Sequence, residues 1–380
     1  MDFKPTEEQT LLRQSVREFA ESEIAPHVRR LDETKEFPHD LFRKMGSMGY
    51  LGITIPERYD GAGMSYQDNA IIIEEIARVD PAVALGVAAH NGLCSGHIFR
   101  FGSEALKQAY LKPLARGEFL GAWSLTEPTA GSDAGGTRSR AVRDGDAWVL
   151  NGSKTFATHG SVGRLCVVFC VTDSSKGKKG ISAFLLEKGM QGFRHGKVED
   201  KMGMRASDTA EVIMEDCRVP ATHLLGVEGM GFVNALEILD RGRIAIAALS
   251  VGTAQGAYEA ALRYAKQRQQ FGKPIASFQG VAFMLADMAT RIAASRLLTL
   301  RAAWMEDSGS KVTEAAAMAK LFASETAVSV ADKSVQIHGG YGYIKDFPAE
   351  KYYRDAKLCT IGEGTSEVQR MVIARSLTGL

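Results

Sequence analysis

The segment Ile361-Gly362-Glu363-Gly364-Thr365-Ser366-Glu367 sets one carboxylate between two glycines, just ahead of a run that reads as a final helix. A carboxylate without bulky neighbours can reach into a cleft as a general base. The same group can also act as a capping charge at a helix N-terminus. The residues alone leave both readings open. In Gln336-Ile337-His338-Gly339-Gly340-Tyr341-Gly342-Tyr343, the glycines permit close approach of backbone to a ligand. His338 beside them is either a catalyst or a structural hydrogen-bonding histidine. The run from Trp123 through Ser124, Leu125, Thr126, Glu127, Pro128, Thr129, Ala130, Gly131 and Ser132 to Asp133 is dense in hydroxyls and turn residues. Such a loop can offer N–H and hydroxyl groups to an anionic or heteroaromatic ligand, or it is a plain polar turn. Lys154, in Leu150-Asn151-Gly152-Ser153-Lys154-Thr155-Phe156, lacks the apolar or cationic setting that a Schiff-base lysine needs. It is expected to be solvated on a hairpin turning at Asn151-Gly152.

Composition narrows the classes. The 380 residues are 45% hydrophobic and 24% charged, with 46 Lys plus Arg against 45 Asp plus Glu. A formal charge of +1 argues against a nucleic-acid or membrane-surface protein. Five scattered cysteines, with no CxxC pair, indicate neither a zinc site nor a disulfide framework, and fit a reducing cytoplasm. Pro81 to Phe99 carries no Asp, Glu, Lys or Arg, but Pro81, His90, Asn91, Ser95 and His97 make it too polar for a lipid-facing span. It is expected to be a buried helix after the Asp80-Pro81 break. No integral membrane association is expected.

Three regions must position these groups. Residues 1–120 read as helical: Thr6-Glu7-Glu8-Gln9 is a capping box, and Leu11, Leu12, Val16, Phe19, Ala20 and Ile24 follow at helical spacing. Further helices are predicted around Asp40–Met48, Gln67–Val79 and Glu104–Leu114. Residues 121–230 hold 16 of the 39 glycines among short β-prone runs, which predicts a small β-barrel or sheet. Strands are predicted at Ala147–Leu150, Leu165–Val171, Ile181–Leu186 and Glu211–Met214. Residues 231–380 turn Ala-rich and helical, with long segments at Ile244–Arg268, Ala276–Met305 and Val312–Ile337 that predict a four-helix bundle. The fold class is α+β and mostly α.

Together these segments resemble the acyl-CoA dehydrogenase family. TEPTAGSD, LNGSKTF, KMGMRASDT, LDRGRI, RQQFGKPI with Gln279, QIHGGYGY, and YRDAK followed by GEGTSE occur in the family's order across essentially the whole chain. The resemblance implies an N-terminal helical domain, a middle β domain, a C-terminal four-helix bundle and a homotetramer. It implies FAD as cofactor, an acyl-CoA substrate and electron-transfer flavoprotein as electron acceptor. Glu363 matches the base that removes the α-proton of the thioester while the β-hydrogen leaves as hydride to the flavin, giving a trans-2-enoyl-CoA. FAD contacts carry over to Trp123, Leu125, Thr126, Gly131, Ser132, Phe156 and Thr158. Arg268, Phe271, Gln279, Gln336, Gly339 and Gly340 match positions that serve a neighbouring subunit's FAD, and Thr365, Ser366 and Glu367 match positions just beyond the base. Substrate contacts carry over to Ser132, Asp240, Arg241, Gly242, Arg243 and Gly364.

Two departures from the family pattern stand out. Phe156-Ala157-Thr158-His159 replaces the usual Trp-Ile-Thr-Asn, which removes an indole donor, and Gly362 precedes the base where a larger residue is common. A few members carry their base at the position of Gly242, which cannot serve here. Two small residues, Gly242 and Gly362, suggest short, branched, cyclic or aryl acyl groups. The competing readings are a non-catalytic acyl-CoA-binding relative, which Glu363 argues against, and an acyl-CoA oxidase, for whose added C-terminal domain 380 residues leave no space. A bacterial cytoplasmic location is expected, or a mitochondrial matrix one if a transit peptide has been removed.

Overall fold

The computed structural model describes residues 4–379. The chain opens on α1 (Glu7–Phe19), where the Thr6 hydroxyl accepts from the Gln9 N–H and the Gln9 side chain accepts from the Thr6 N–H, both at 3.1 Å. This reciprocal pair satisfies two helix-end donors that would otherwise lack partners. Next come α2 (Val28–Thr34), α3 (His39–Ser47), α4 (Tyr66–Val79), α5 (Pro81–Ala88), α6 (Gly96–Phe101) and α7 (Glu104–Ala115). Asp80 ends α4 and caps α5, accepting from the Ala82 N–H at 3.0 Å, with Pro81 in the first turn. The stretch expected as one buried helix is α5 and α6 joined by a π-helical segment, Ala89–Ser95, and nearly all of it is buried.

The middle of the chain is one sheet: β1 (Gly121–Ser124), β2 (Arg140–Asp144), β3 (Ala147–Thr158), β4 (Leu165–Val171), β5 (Ile181–Glu187), β6 (Phe193–Val198), β7 (Thr209–Pro220) and β8 (Leu224–Leu225). Its order is β6-β7-β3-β2-β4-β5-β8, with β1 parallel on β4. The expected barrel is not closed among the described residues. Closure would need β6 to pair with β8, and β8 is only two residues long. The turn expected at Asn151-Gly152 is also absent. β3 is flanked on both sides by antiparallel partners, β2 and β7, so the chain continues through. Gly152, at φ +144°, instead marks a register shift against β7, where an added Cβ would sit 2.4 Å from the Ser139 hydroxyl.

The last region is α8 (Gly231–Gln267), a short hairpin of β9 (Gln269–Gln270) and β10 (Lys273–Pro274), α9 (Gln279–Asp307), α10 (Thr313–His338), α11 (Ala349–Cys359) and α12 (Ser366–Thr378). The expected C-terminal helical bundle is built, among the described residues, on the three long helices α8, α9 and α10, with the shorter α11 and α12 packed on α10. The seam between α8, α9 and α10 is lined largely by alanines, which lets the helices approach closely. Buried charges tie the regions together. Lys351 on α11 donates to Asp80 at 2.9 Å and Asp355 at 2.6 Å, and Asp355 accepts from the Met204 N–H at 2.5 Å. Among the described residues no helix is long and apolar enough to cross a membrane, and no cluster of three or more His, Cys, Asp or Glu is placed to hold a metal.

Candidate active site

α11 ends at Cys359 and α12 begins at Ser366, and the turn between them carries Glu363. Glu363 lies at φ +53° and Gly364 at +98°. A left-handed glutamate is uncommon, and buried side chains hold this one. Gln369 donates to the carbonyls of Glu363 at 3.2 Å and Gly364 at 3.0 Å, while Lys320 on α10 donates to the Gly364 carbonyl at 2.5 Å. Glu363 is not a helix cap, because Thr365 fills that role, accepting from the Val368 N–H at 3.3 Å.

The backbone turn sends the carboxylate to α8. A Cβ on Gly242 would lie 2.0 Å from Glu363 Oε2 and 3.2 Å from Leu93 Cδ2. Leu93, from the π-helical segment, packs with Ala89 and Ile238 and meets Trp123 of β1. Base turn, α8, π segment and β1 thus converge. Glu363 Oε2 is buried and, among the described residues, has no hydrogen-bond partner. Burial pushes the Glu363 pKa up to about 7, against the opposing pull of Lys320 and Arg243. Burial likewise lowers Lys320 to about 8.

Asp240, Arg241 and Arg243 share α8 with Gly242 but point differently. Arg243 is buried and pairs with Asp240 at 2.7 Å, and Asp240 also accepts from Thr313 at 2.6 Å. Two residues apart on a helix lie on opposite faces, so Arg241 turns instead to Glu306 at 2.7 Å and the Glu237 carbonyl at 2.8 Å.

The two sheet segments singled out for the cofactor are stitched to each other. Lys154, expected to be solvated, is fully buried and pairs with Glu127 at 2.7 Å. Glu127 also accepts from the N–H groups of Arg138 at 2.7 Å and Ser139 at 2.9 Å, and from the Ser139 hydroxyl at 2.7 Å. Burial raises the Glu127 pKa, but Lys154 and these donors outweigh it and hold it at about 2. The Thr155 N–H adds a bond to the Thr126 carbonyl at 2.9 Å. The loop carrying Leu125, Thr126, Gly131 and Ser132 is therefore fastened beside the strand end carrying Phe156 and Thr158. Phe156, at φ +59°, is 65% exposed, and Gly131 faces open space. Trp123 donates its indole N–H to buried His97 Nδ1 at 3.3 Å, which assigns the His97 proton to Nε2.

Arg268, Phe271, Gln279, Gln336, Gly339 and Gly340 gather elsewhere. Arg268, Gly339 and Gly340 line a cavity of about 480 Å³ with Tyr264, Ile337 and Tyr341. Phe271, Gln279 and Gln336 are exposed, Phe271 by 92% at the hairpin tip. Arg268 follows the end of α8, while Gly242 lies 25 residues back from its last residue, Gln267, roughly 37 Å at 1.5 Å per residue. One chain does not bring this cluster to Glu363. His338 beside it is structural, donating from Nδ1 to the Ser334 carbonyl at 2.7 Å and stacking on Tyr264.

Comparison with known proteins places the chain in a family. Residues 6–118 match the acyl-CoA dehydrogenase N-terminal domain, 122–217 the middle domain and 229–378 the C-terminal domain. The chain belongs to the acyl-CoA dehydrogenase family. It is an oxidoreductase of FAD-dependent type. The short-chain specific acyl-CoA dehydrogenase of Clostridium acetobutylicum is 48% identical over 98% of this chain and 99% of its own length. Butyryl-CoA dehydrogenase from Megasphaera elsdenii superimposes with a TM-score of 0.97 at 43% identity, covering 99% of this chain and 100% of that one. A chain from the structure described as the electron transferring flavoprotein of Acidaminococcus fermentans gives 0.98 at 49% identity, covering all of both.

Within this acyl-CoA dehydrogenase, three residues that surround the site carried no motif: His97, Lys320 and Gln369. Lys320 does leave a trace, as the one charge in Ala315-Ala316-Ala317-Met318-Ala319-Lys320-Leu321-Phe322-Ala323. The exposed Phe156 ring and the open faces of Gly131, Gly339 and Gly340 suit a large flat cofactor with a phosphate tail.

Proposed function

We propose that the protein oxidises a short saturated acyl-CoA to the trans-2-enoyl-CoA, with Glu363 as the base. One observation carries this reading: a carboxylate whose Oε2 is buried and without a hydrogen-bond partner among the described residues, with a pKa raised to about 7 and facing the bare backbone of Gly242. A base with pKa near the operating pH combines the ionised form with useful proton affinity. FAD, when bound, supplies the two-electron acceptor for the β-hydrogen. Glu363 takes the α-proton onto its carboxylate. Among the described residues its own N–H makes no hydrogen bond, and it is free to donate to the thioester carbonyl and stabilise the charge that develops there. Leu93, Ile238 and the acyl chain keep water out, which preserves the base's raised pKa.

Trp123, Leu125, Thr126, Gly131, Ser132, Phe156 and Thr158 would hold FAD from one subunit, with Thr365, Ser366 and Glu367 beyond the base. Arg268, Phe271, Gln279, Gln336, Gly339 and Gly340 would reach it from a second copy, which supports the homotetramer. Ser132, Asp240, Arg241, Arg243 and Gly364 would serve the CoA thioester, Arg241 by exchanging its bonds to Glu306 and Glu237. The butyryl-CoA and short-chain relatives support a short acyl group, and the Acidaminococcus structure supports electron-transfer flavoprotein as partner. Five free cysteines support a reducing compartment, hence the cytoplasm.

The test is anaerobic titration of the holoenzyme with butyryl-, isobutyryl-, isovaleryl-, octanoyl- and an aryl-CoA, following the oxidised-flavin absorbance. Bleaching by butyryl-CoA is expected. No bleaching by any of them, with FAD bound, would put the non-catalytic acyl-CoA-binding reading first.

A further inference from the structure

Lys320 is a costly residue in an unlikely place for a charge. It sits in the middle of α10, wholly buried, with Ala316, Ala319 and Ala323 for neighbours on the helix. An ammonium removed from water needs compensation. Its one hydrogen bond among the described residues is to the Gly364 carbonyl, at 2.5 Å, immediately after the base. That carbonyl also accepts from Gln369, and it belongs to the left-handed pair Glu363 and Gly364. The cation therefore clamps the turn that aims the carboxylate, from the next helix rather than from the turn itself.

The charges around Glu363 are few. α10 presents Lys320; α8 presents Arg243, already neutralised by Asp240 at 2.7 Å. α11 presents the Cys359 thiol and α12 the exposed Glu367, both of which act on Lys320. Among the described residues Lys320 is thus the buried cation acting on Glu363 that no carboxylate bond neutralises. We infer that Lys320 is a positioning residue for Glu363, holding the base turn in its left-handed conformation and supplying the positive charge that keeps the desolvated carboxylate ionisable. No proton passes through it. Without it, only Arg243, itself paired with Asp240, would oppose burial, and the base would stay protonated over more of the neutral range.

The inference rests on Glu363 being the base, so both are tested together on the FAD-loaded protein. The readout is the rate of flavin reduction by butyryl-CoA against pH under anaerobic conditions, for wild type, Glu363→Gln, Lys320→Gln, Lys320→Met and Lys320→Arg. Lys320→Gln keeps a hydrogen-bond donor and removes the charge; Lys320→Arg keeps the charge. The acid limb of the profile should move to higher pH by about one unit or more in Lys320→Gln and Lys320→Met, and stay near wild type in Lys320→Arg. The carboxyl stretch of Glu363, read as the infrared difference between each Lys320 variant and the same variant carrying Glu363→Gln, should titrate with the same displacement. A lower maximal rate with the limb unmoved in Lys320→Gln would overturn the inference and leave Lys320 a packing residue. If Lys320→Met does not fold, Lys320→Gln decides alone. Near-normal reduction by Glu363→Gln would instead overturn the assignment of the base.

Discussion

The Glu363 carboxylate occupies the space in which a side chain at position 242 would begin, with Oε2 2.0 Å from the site of a Gly242 Cβ. Two segments 121 residues apart in sequence thus address the same point from opposite sides. One contributes the acid group, the other contributes room for it.

Gly242→Ala should therefore separate activity from stability. The clashing atoms are the ends of the flexible Glu363 and Leu93 side chains, so the fold can adjust and the unfolding midpoint should move little. The displaced carboxylate should slow flavin reduction by about 10²-fold. Stopped-flow reduction and a thermal melt on the same sample check this; a normal rate would show that the carboxylate works from another position. Gly242→Glu in a Glu363→Gly background should partly restore reduction, because both positions face one point.

Glu363→Gln should retain FAD and acyl-CoA binding while flavin reduction falls by at least about 10²-fold. Its stability should change with pH in a defined sense. Burial raises the folded pKa from 4.5 to about 7, so the neutral acid is the favoured buried form and stability is lost as pH rises through 7. The variant should melt above wild type beyond pH 7, with the difference closing toward acid. Melts across that range decide it.

Lys154→Met should be among the more damaging substitutions in the sheet. Leaving Glu127 buried without its partner costs about 3–5 kcal/mol, and the loop and strand it fastens should hold FAD less well. Glu127 sits at about 2 in the folded protein against 4.5 unfolded, so its contribution is present above 4.5 and disappears as pH falls toward 2. The variant should show less of that acid-induced loss, since the Ser139 donors to Glu127 remain. Urea unfolding at two pH values and the flavin-to-protein absorbance ratio measure both effects.

His159 is buried, and burial lowers its pKa from 6.5 to about 4, with His90 and His97 both lowered to about 3. Each is neutral when folded and charged when unfolded in acid, so stability should fall as pH drops from 6.5 toward 4. His159→Asn should remove one part of that loss, about 3 kcal/mol at its limit. Gly86→Ala should destabilise at every pH, since its Cβ would meet the Phe42 ring at 2.5 Å and His159 Nε2 at 2.9 Å. A flat melting profile for wild type between those pH values would contradict the first expectation.

Much of the helical framework was legible because its signals are local. The box at Thr6 and Gln9, the Asp80-Pro81 break and the alanine-rich periodicity of α8 to α10 each act within a few residues. Glu363 stood out because two glycines isolate it. Misreadings fell where partners distant in sequence decide the outcome. Asn151-Gly152 has turn chemistry, but strands on both sides of β3 override it. Lys154 looks solvated until Glu127 closes over it.

From sequence alone came the helix–sheet–helix order, the near-neutral charge balance and the carriers of the chemistry, all properties of residue type and short-range spacing. Only the folded chain decided their roles. Burial raises the Glu363 pKa to near neutrality; the crossing of α10 beside the Glu363 turn brings Lys320 to Gly364; and the length of α8 keeps the Arg268 cluster far from Gly242 and Glu363 of its own chain. Desolvation and charge proximity depend on what surrounds an atom in three dimensions, and linear spacing does not encode that.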